Sequence, residues 1–125
     1  MYKRVYNSDL LIKGGPYSHV VEAGGFLFVS GMVPVDRERN LSISDDIREA
    51  TRVVLQNIRI ALQAVGSDLD RIVKVTVFLR DMADFKALNE VYQTFFPENP
   101  PARSCVAVRE LPGNFPVEIE AVAIR

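Results

Sequence analysis

Hydrophobic and polar positions follow two different periods along this chain, and the switches between them mark its elements. Tyr2 to Tyr6 reads as a short first strand. Gly14-Gly15-Pro16 makes a sharp turn. His19 to Glu22 and Phe26 to Ser30 then read as two strands, joined by Gly24-Gly25 as a hairpin turn that uses glycine's tolerance of positive φ. Pro34 closes the second of them, and Asp36 to Ser44 is polar and loop-like. From Asp46 to Val65 the period lengthens: Ile47, Val54, Ile58, Ala61, Leu62 and Val65 recur at three- and four-residue steps, which predicts a helix with one apolar face. Ser42 or Ser44 is placed to cap its start, and Gly66 lies just past its end. Ile72 to Leu79 is rich in β-branched residues and predicts a strand. Asp81 or Asp84 caps a second helix that carries Phe85, Leu88, Tyr92, Phe95 and Phe96, and Pro97, Pro100 and Pro101 stop it. Arg103 to Val108 and Val117 to Ile124 read as the last strands, with Leu111-Pro112-Gly113-Asn114 as the turn between them.

This order predicts an α+β fold, a mixed sheet with both helices packed on one face. Alternation in Ile72 to Leu79 places Val73, Val75, Val77 and Leu79 on one face, with Ile72 and Phe78 on the other beside Lys74 and Thr76. Apolar residues on both faces call for cover on both. The helices cover only one, so a second copy of the sheet is the simplest cover for the other, and a homo-oligomer is expected.

Composition narrows the function classes. A chain of 125 residues, 48% hydrophobic and 25% charged, fits one domain (1–125) with a real core. The 15 basic and 16 acidic residues nearly cancel, and no run of Lys or Arg exceeds two, so no field attracts nucleic acid or an anionic membrane. The single cysteine cannot form an intrachain disulfide, and His19 has no second histidine or cysteine pair with which to share a metal. No apolar run approaches the ~20 residues of a membrane span, and the first residues lack the apolar stretch of a secretory signal. A soluble, cytoplasmic protein is expected.

The chemistry-bearing candidates sit near the end of the chain. Arg103, Cys105 and Ala107 share one strand face, and Glu118 and Glu120 share one face of the next strand. An arginine inside an otherwise apolar strand has two readings. It is an anchor for a carboxylate, which its planar fork of donors matches, or it forms a structural ion pair with Glu118 or Glu120. Cys105 is a thiol nucleophile only with a base nearby, and nothing in the sequence brings His19 to it; the alternative is a small apolar filler. Tyr17 either offers its hydroxyl to a ligand or lies over an apolar edge. Ser30-Gly31 ends a strand where backbone N–H groups can meet an anion, or is an ordinary strand exit. Asn89, at helical spacing beside Phe85 and Tyr92, faces either the core edge or a cleft.

Taken together, Gly15-Pro16-Tyr17-Ser18, Phe28-Val29-Ser30-Gly31, Val73-Lys74-Val75-Thr76-Val77-Phe78-Leu79, Asn89-Glu90-Val91-Tyr92, Pro101-Ala102-Arg103-Ser104-Cys105 and Val117-Glu118-Ile119-Glu120-Ala121 resemble the RidA family of reactive intermediate deaminases, the YjgF type. The resemblance runs from about Gly15 to the C-terminus. It implies a chorismate-mutase-like α+β fold with a six-stranded sheet and a homotrimer whose sheets form a central barrel with clefts between subunits. It also implies hydrolysis of enamines and imines, such as 2-aminoacrylate and 2-iminopropanoate, to 2-oxo acids and ammonia, with no metal and no bound cofactor. Carried over by position, Arg103 grips the substrate carboxylate and Glu118 positions the attacking water. Tyr17, Ser30, Gly31, Asn89 and Cys105 line the pocket, some from a neighbouring subunit.

The chain departs from the family pattern at four places, all expected to ring the cleft. Met32 and His19 stand where glutamine is common, Gly14 replaces a branched apolar residue, and Asp36 to Asn40 lacks the usual Thr-Gly pair. Two other functions stay open: a non-catalytic module that binds small carboxylates in the same cleft, and the ribonuclease or translation-inhibitor activity attached to parts of the family. The near-neutral charge and absent basic patch argue against the second.

Overall fold

A computed structural model describes residues 2–37, 41–42 and 45–125. Its main sheet has six strands: β1 (Arg4–Tyr6), β2 (Val20–Ala23), β3 (Phe26–Met32), β6 (Ile72–Leu79), β7 (Ala102–Ala107) and β8 (Val117–Ile124). Two short strands, β4 (Val35–Asp36) and β5 (Leu41–Ser42), pair with each other inside the segment expected to be loop, whose remaining residues 38–40 and 43–44 lie outside the described part. The helices are α1 (Ile47–Gln63) and α2 (Phe85–Phe95). Among the described residues no helix is long and apolar enough to cross a membrane.

The strand order is β1-β2-β3-β8-β6-β7. β6 and β7 are parallel, joined through α2, and every other pairing is antiparallel, so the sheet is mixed as expected. The last two strands are not a hairpin, however. β8 inserts between β3 and β6 and leaves β7 at the edge. The connection past Pro112–Asn114 steps across the end of β6, where the Arg80 amide donates to the Pro116 carbonyl (3.0 Å) and the Val108 amide to the Leu79 carbonyl (2.9 Å). A Pro-Gly-Asn run signals a reversal but carries no information on which edge the next strand joins.

Local chemistry explains the element ends. Gly24 and Gly25 take φ of 60° and 84°, as the hairpin needs. The start of α1 is capped by Asp46, whose carboxylate accepts from the Arg48 and Glu49 amides, rather than by Ser42 or Ser44. A cap must directly precede the first helical residue, and Asp46 does so; Ser42 belongs to β5 and Ser44 lies outside the described residues. Asp81 caps a short 3₁₀ turn, Met82–Asp84, that leads into α2, while Asp84 makes no side-chain cap. Gly66 ends the first helix at φ 80°.

The core lies between the helices and one sheet face. Val54, Leu55, Ile58 and Leu62 of α1 and Leu88 of α2 pack over Leu27, Val75, Val77, Leu79, Val117 and Ile119, all fully buried. In β6 a register shift between Ile72 and Lys74 turns Ile72 into this core and Val73 out of it, opposite to simple alternation. The other sheet face has no helix. Phe26, Phe28, Val106 and Ile124 stay exposed there, beside Phe78, Glu118 and Glu120.

Candidate functional site

The residues picked out from the sequence fall into two groups, one on each sheet face. The first is built on edge strand β7. Parallel register aligns Arg103 with Val75 and Cys105 with Val77, so both point to the helix side, toward α2. There Phe85, Asn89 and Tyr92, spaced four and three residues apart, present one helix face. The Arg103 guanidinium lies over the Tyr92 ring (4.8 Å to the centroid) and the Phe85 ring (5.6 Å), and its Nη1 donates to Asn89 Oδ1 at 2.8 Å. Stacking on aromatic faces and one neutral acceptor fix the plane of the fork.

No carboxylate pairs with Arg103 among the described residues. The ion pair with Glu118 or Glu120 is therefore not formed, because both glutamates lie on the opposite face of the sheet. Arg103 is thus a half-buried cation with donors to spare and no counter-charge. Beneath it Tyr92 is buried, and its hydroxyl has no hydrogen-bond partner among the described residues. Burial pushes that hydroxyl up to about 12, against the pull of Arg103, so Tyr92 supplies a ring and not a proton. Burial also pushes the Cys105 thiol above its ordinary value, with Arg103 opposing. Cys105 packs against the core, as a filler would.

The second group lies on the open face. Glu118 of β8 stands opposite Phe78 and next to Gly31 at the end of β3. A Cβ on Gly31 would clash with Glu118 Oε2, so glycine makes room for the carboxylate. Glu118 and Gly31, with Tyr17, Ser30, Ile12, Val33 and Phe115, line a cleft of about 520 Å³. Tyr17 is 37% exposed, and its hydroxyl accepts from the Gly14 amide at 3.2 Å. Ser30 Oγ donates to the Ser18 carbonyl at 2.6 Å and so braces the strand exit. Glu118 makes no hydrogen bond or ion pair among the described residues. Burial, and secondarily the charge of Glu120, raise its carboxyl above the ordinary value, which suits a proton acceptor. A second cavity of about 520 Å³ holds Arg59 and Asp68, already joined at 3.3 Å, and none of the motif residues.

Register separates the two groups. Arg103 aligns with Val75 and so with Ala121, three residues along β8 from Glu118 and two strands away. That is ~10 Å across the strands and ~10 Å along them, with the sheet between the two side chains. Two of the four departures leave the cleft: Met32 is buried in the core at 6% exposure and His19 at 2%. Gly14 stays in the cleft wall, and residues 38–40 of the altered loop lie outside the described part. The apolar wall residues Ile12 and Phe115 carried no signal in the sequence, because they come from irregular segments without periodicity.

Comparison with known proteins gives a consistent picture. The family model described as Endoribonuclease L-PSP matches residues 11–125. A RutC family protein of Pyrococcus horikoshii is 46% identical over 89% of this chain and 88% of its own length. The 2-iminobutanoate/2-iminopropanoate deaminase of Salmonella typhimurium is 40% identical over 89% of this chain and 88% of its own. The crystal structure of Escherichia coli TdcF with bound serine superposes with a TM-score of 0.91 at 35% identity, covering 98% of both chains.

Proposed function

The chain belongs to the endoribonuclease L-PSP family, the RidA/YjgF family of its relatives, and from that premise we propose that it hydrolyses reactive imines of small 2-imino acids to 2-oxo acids and ammonia. The observation that carries this reading is the Arg103 guanidinium, oriented by Asn89 and two rings and lacking a carboxylate partner among the described residues. A cation held in that way is prepared for an anion from outside, and a substrate carboxylate meets its fork bidentately.

In this reading the imine carbon, already electrophilic, needs a fixed position and a placed water. Glu118 takes a proton from water as oxygen bonds to the imine carbon, and the imine nitrogen gains a proton. The carbinolamine then loses ammonia: its hydroxyl proton passes by way of Glu118 to the nitrogen as the C–N bond breaks and the C=O bond forms. An enamine such as 2-aminoacrylate enters after tautomerising to 2-iminopropanoate. No metal or cofactor takes part in these steps. Tyr17, Ser30 and Gly31 shape the pocket on the Glu118 side, and Asn89 and Cys105 on the Arg103 side.

Because the two groups occupy opposite faces, a complete site forms between copies of the chain. The exposed apolar face of β3, β8, β6 and β7 supports such packing, since a contiguous patch of this kind is rarely left in water. Following the family resemblance, we take the assembly to be a homotrimer with three shared clefts. The test adds purified protein to a dehydratase that generates 2-aminoacrylate and follows ammonia and pyruvate. Release faster than the spontaneous rate is expected; an unchanged rate would overturn the proposal. Binding of pyruvate without any turnover would select the carboxylate-binding module instead.

A further inference from the structure

One buried polar side chain has no part in the chemistry above. His19 is 2% exposed and lies just before β2. Its Nδ1 accepts from the Ser8 amide at 3.0 Å, and its Nε2 lies 2.7 Å from the Ile12 carbonyl. A carbonyl only accepts and an amide only donates, so these partners admit one state: a neutral ring protonated on Nε2. The backbone is also engaged, with the His19 amide donating to Asn7 Oδ1 at 3.1 Å and its carbonyl accepting from Ser30 at 3.0 Å.

Both ring partners belong to the segment between β1 and β2, which has no regular secondary structure beyond turns. Such a segment lacks ladder bonds to hold its shape. Yet its far end forms one wall of the Glu118 cleft through Ile12, Gly14 and Tyr17. The imidazole clamps this segment at Ser8 and Ile12. An ordinary buried histidine satisfies whatever polar groups surround it; here both ring bonds converge on the stretch that shapes the wall.

We propose that His19, as the neutral Nε2–H imidazole, is the positioning residue of that wall, holding the segment that carries Ile12 and Tyr17 against the cleft. This rests on the cleft being the deaminase site. A glutamine amide also has one acceptor and one donor group and can satisfy the same two partners.

Three measurements on the full chain test the inference. In wild type, ¹⁵N–¹H correlation of the imidazole at pH 7 is expected to show the proton on Nε2; an Nδ1–H or doubly protonated ring would overturn the clamp. His19→Leu keeps apolar bulk and removes both bonds, and amide exchange is expected to speed up about tenfold or more within residues 8–17 while the core strands keep their protection. Unchanged exchange there would overturn it. In turnover, His19→Leu is expected to raise KM about tenfold with kcat within about threefold, and His19→Gln to stay within about twofold of wild type in both. A His19→Gln protein as impaired as His19→Leu, or a His19→Leu protein with unchanged KM, would overturn the positioning role. If His19→Leu does not fold, the imidazole spectrum and the His19→Gln kinetics still decide. An inactive wild type sinks the deaminase reading instead, and the tautomer and exchange results then stand or fall separately.

Discussion

The two halves of the candidate site solve opposite electrostatic problems. On the helix side Arg103 is a cation laid on two aromatic faces and tied to a neutral amide. On the open side Glu118 is a carboxylate wedged beside a glycine with no hydrogen-bond or ionic partner among the described residues. The first surroundings fix the direction of the guanidinium fork. The second disfavour the charge, so the carboxyl titrates above its ordinary value. One half therefore suits holding an anion, and the other suits exchanging a proton. Were Arg103 and Glu118 joined in one chain, each would neutralise the other and neither property would survive. Placing them on opposite faces of one sheet keeps them apart within one chain.

That contrast can be broken most severely at the two charged residues. Arg103→Ala is expected to lower kcat/KM by about 10²–10³-fold, the loss of a charge-assisted fork. Glu118→Gln is expected to lower kcat by a similar factor, as for removal of a general base. Mixing and reassembling the two inactive variants at equal ratio is then expected to restore activity in roughly a quarter of the sites, since one intact half comes from each chain. No recovery, with mixed assembly verified by mass, would show that both halves act from one chain.

Gly31→Ala sharpens the open half alone. Its new Cβ would displace the end of the Glu118 side chain, which is flexible, and not the backbone. Steady-state assays are expected to show kcat down about tenfold, for a carboxylate moved by an ångström or so, with a melting temperature close to wild type. Asn89→Ala probes the other half. With one hydrogen bond to the guanidinium gone, KM is expected to rise about fivefold, corresponding to ~1 kcal/mol, and kcat to change little. Cys105→Ala is expected to change kcat/KM less than about threefold, which the same assay would show; a collapse would identify the thiol as a nucleophile.

The smallest effect is on stability. Folding raises the Glu118 pKa, so the native state binds the proton more tightly than the unfolded chain. Stability then falls as pH rises from the ordinary carboxyl value, ~4.3 for glutamate, through the raised folded value. Glu118→Gln removes this loss. Its melting temperature is expected to exceed that of wild type by a small margin at pH 7, and the margin to vanish below about pH 4. Scanning calorimetry across that range reads it directly.

Much of this molecule was legible before folding, at the level of single elements. Ile72–Leu79 and Val117–Ile124 are strands over the residues their β-branched alternation marked, and Gly24-Gly25 turns with the positive φ that only glycine takes easily. That Arg103 needs a partner was legible too, because an arginine is rarely buried alone in an otherwise apolar strand; the strand pattern left both a structural ion pair and a ligand anchor open. Alternation failed at Val73, where a register shift inverts the pattern, and the cap moved from serine to Asp46. Periodicity fixes which side chains share a face within one strand. It does not say which strands are neighbours. The sequence alone therefore determined which side chains share a strand face, Arg103 with Cys105 and Glu118 with Glu120. Only the tertiary structure decided that β8 lies between β3 and β6, that Arg103 and Glu118 look out from opposite faces, and that the His19 ring bonds the backbone at Ser8 and Ile12. Those outcomes depend on contacts between residues remote in sequence, and such contacts are chosen by how whole faces pack.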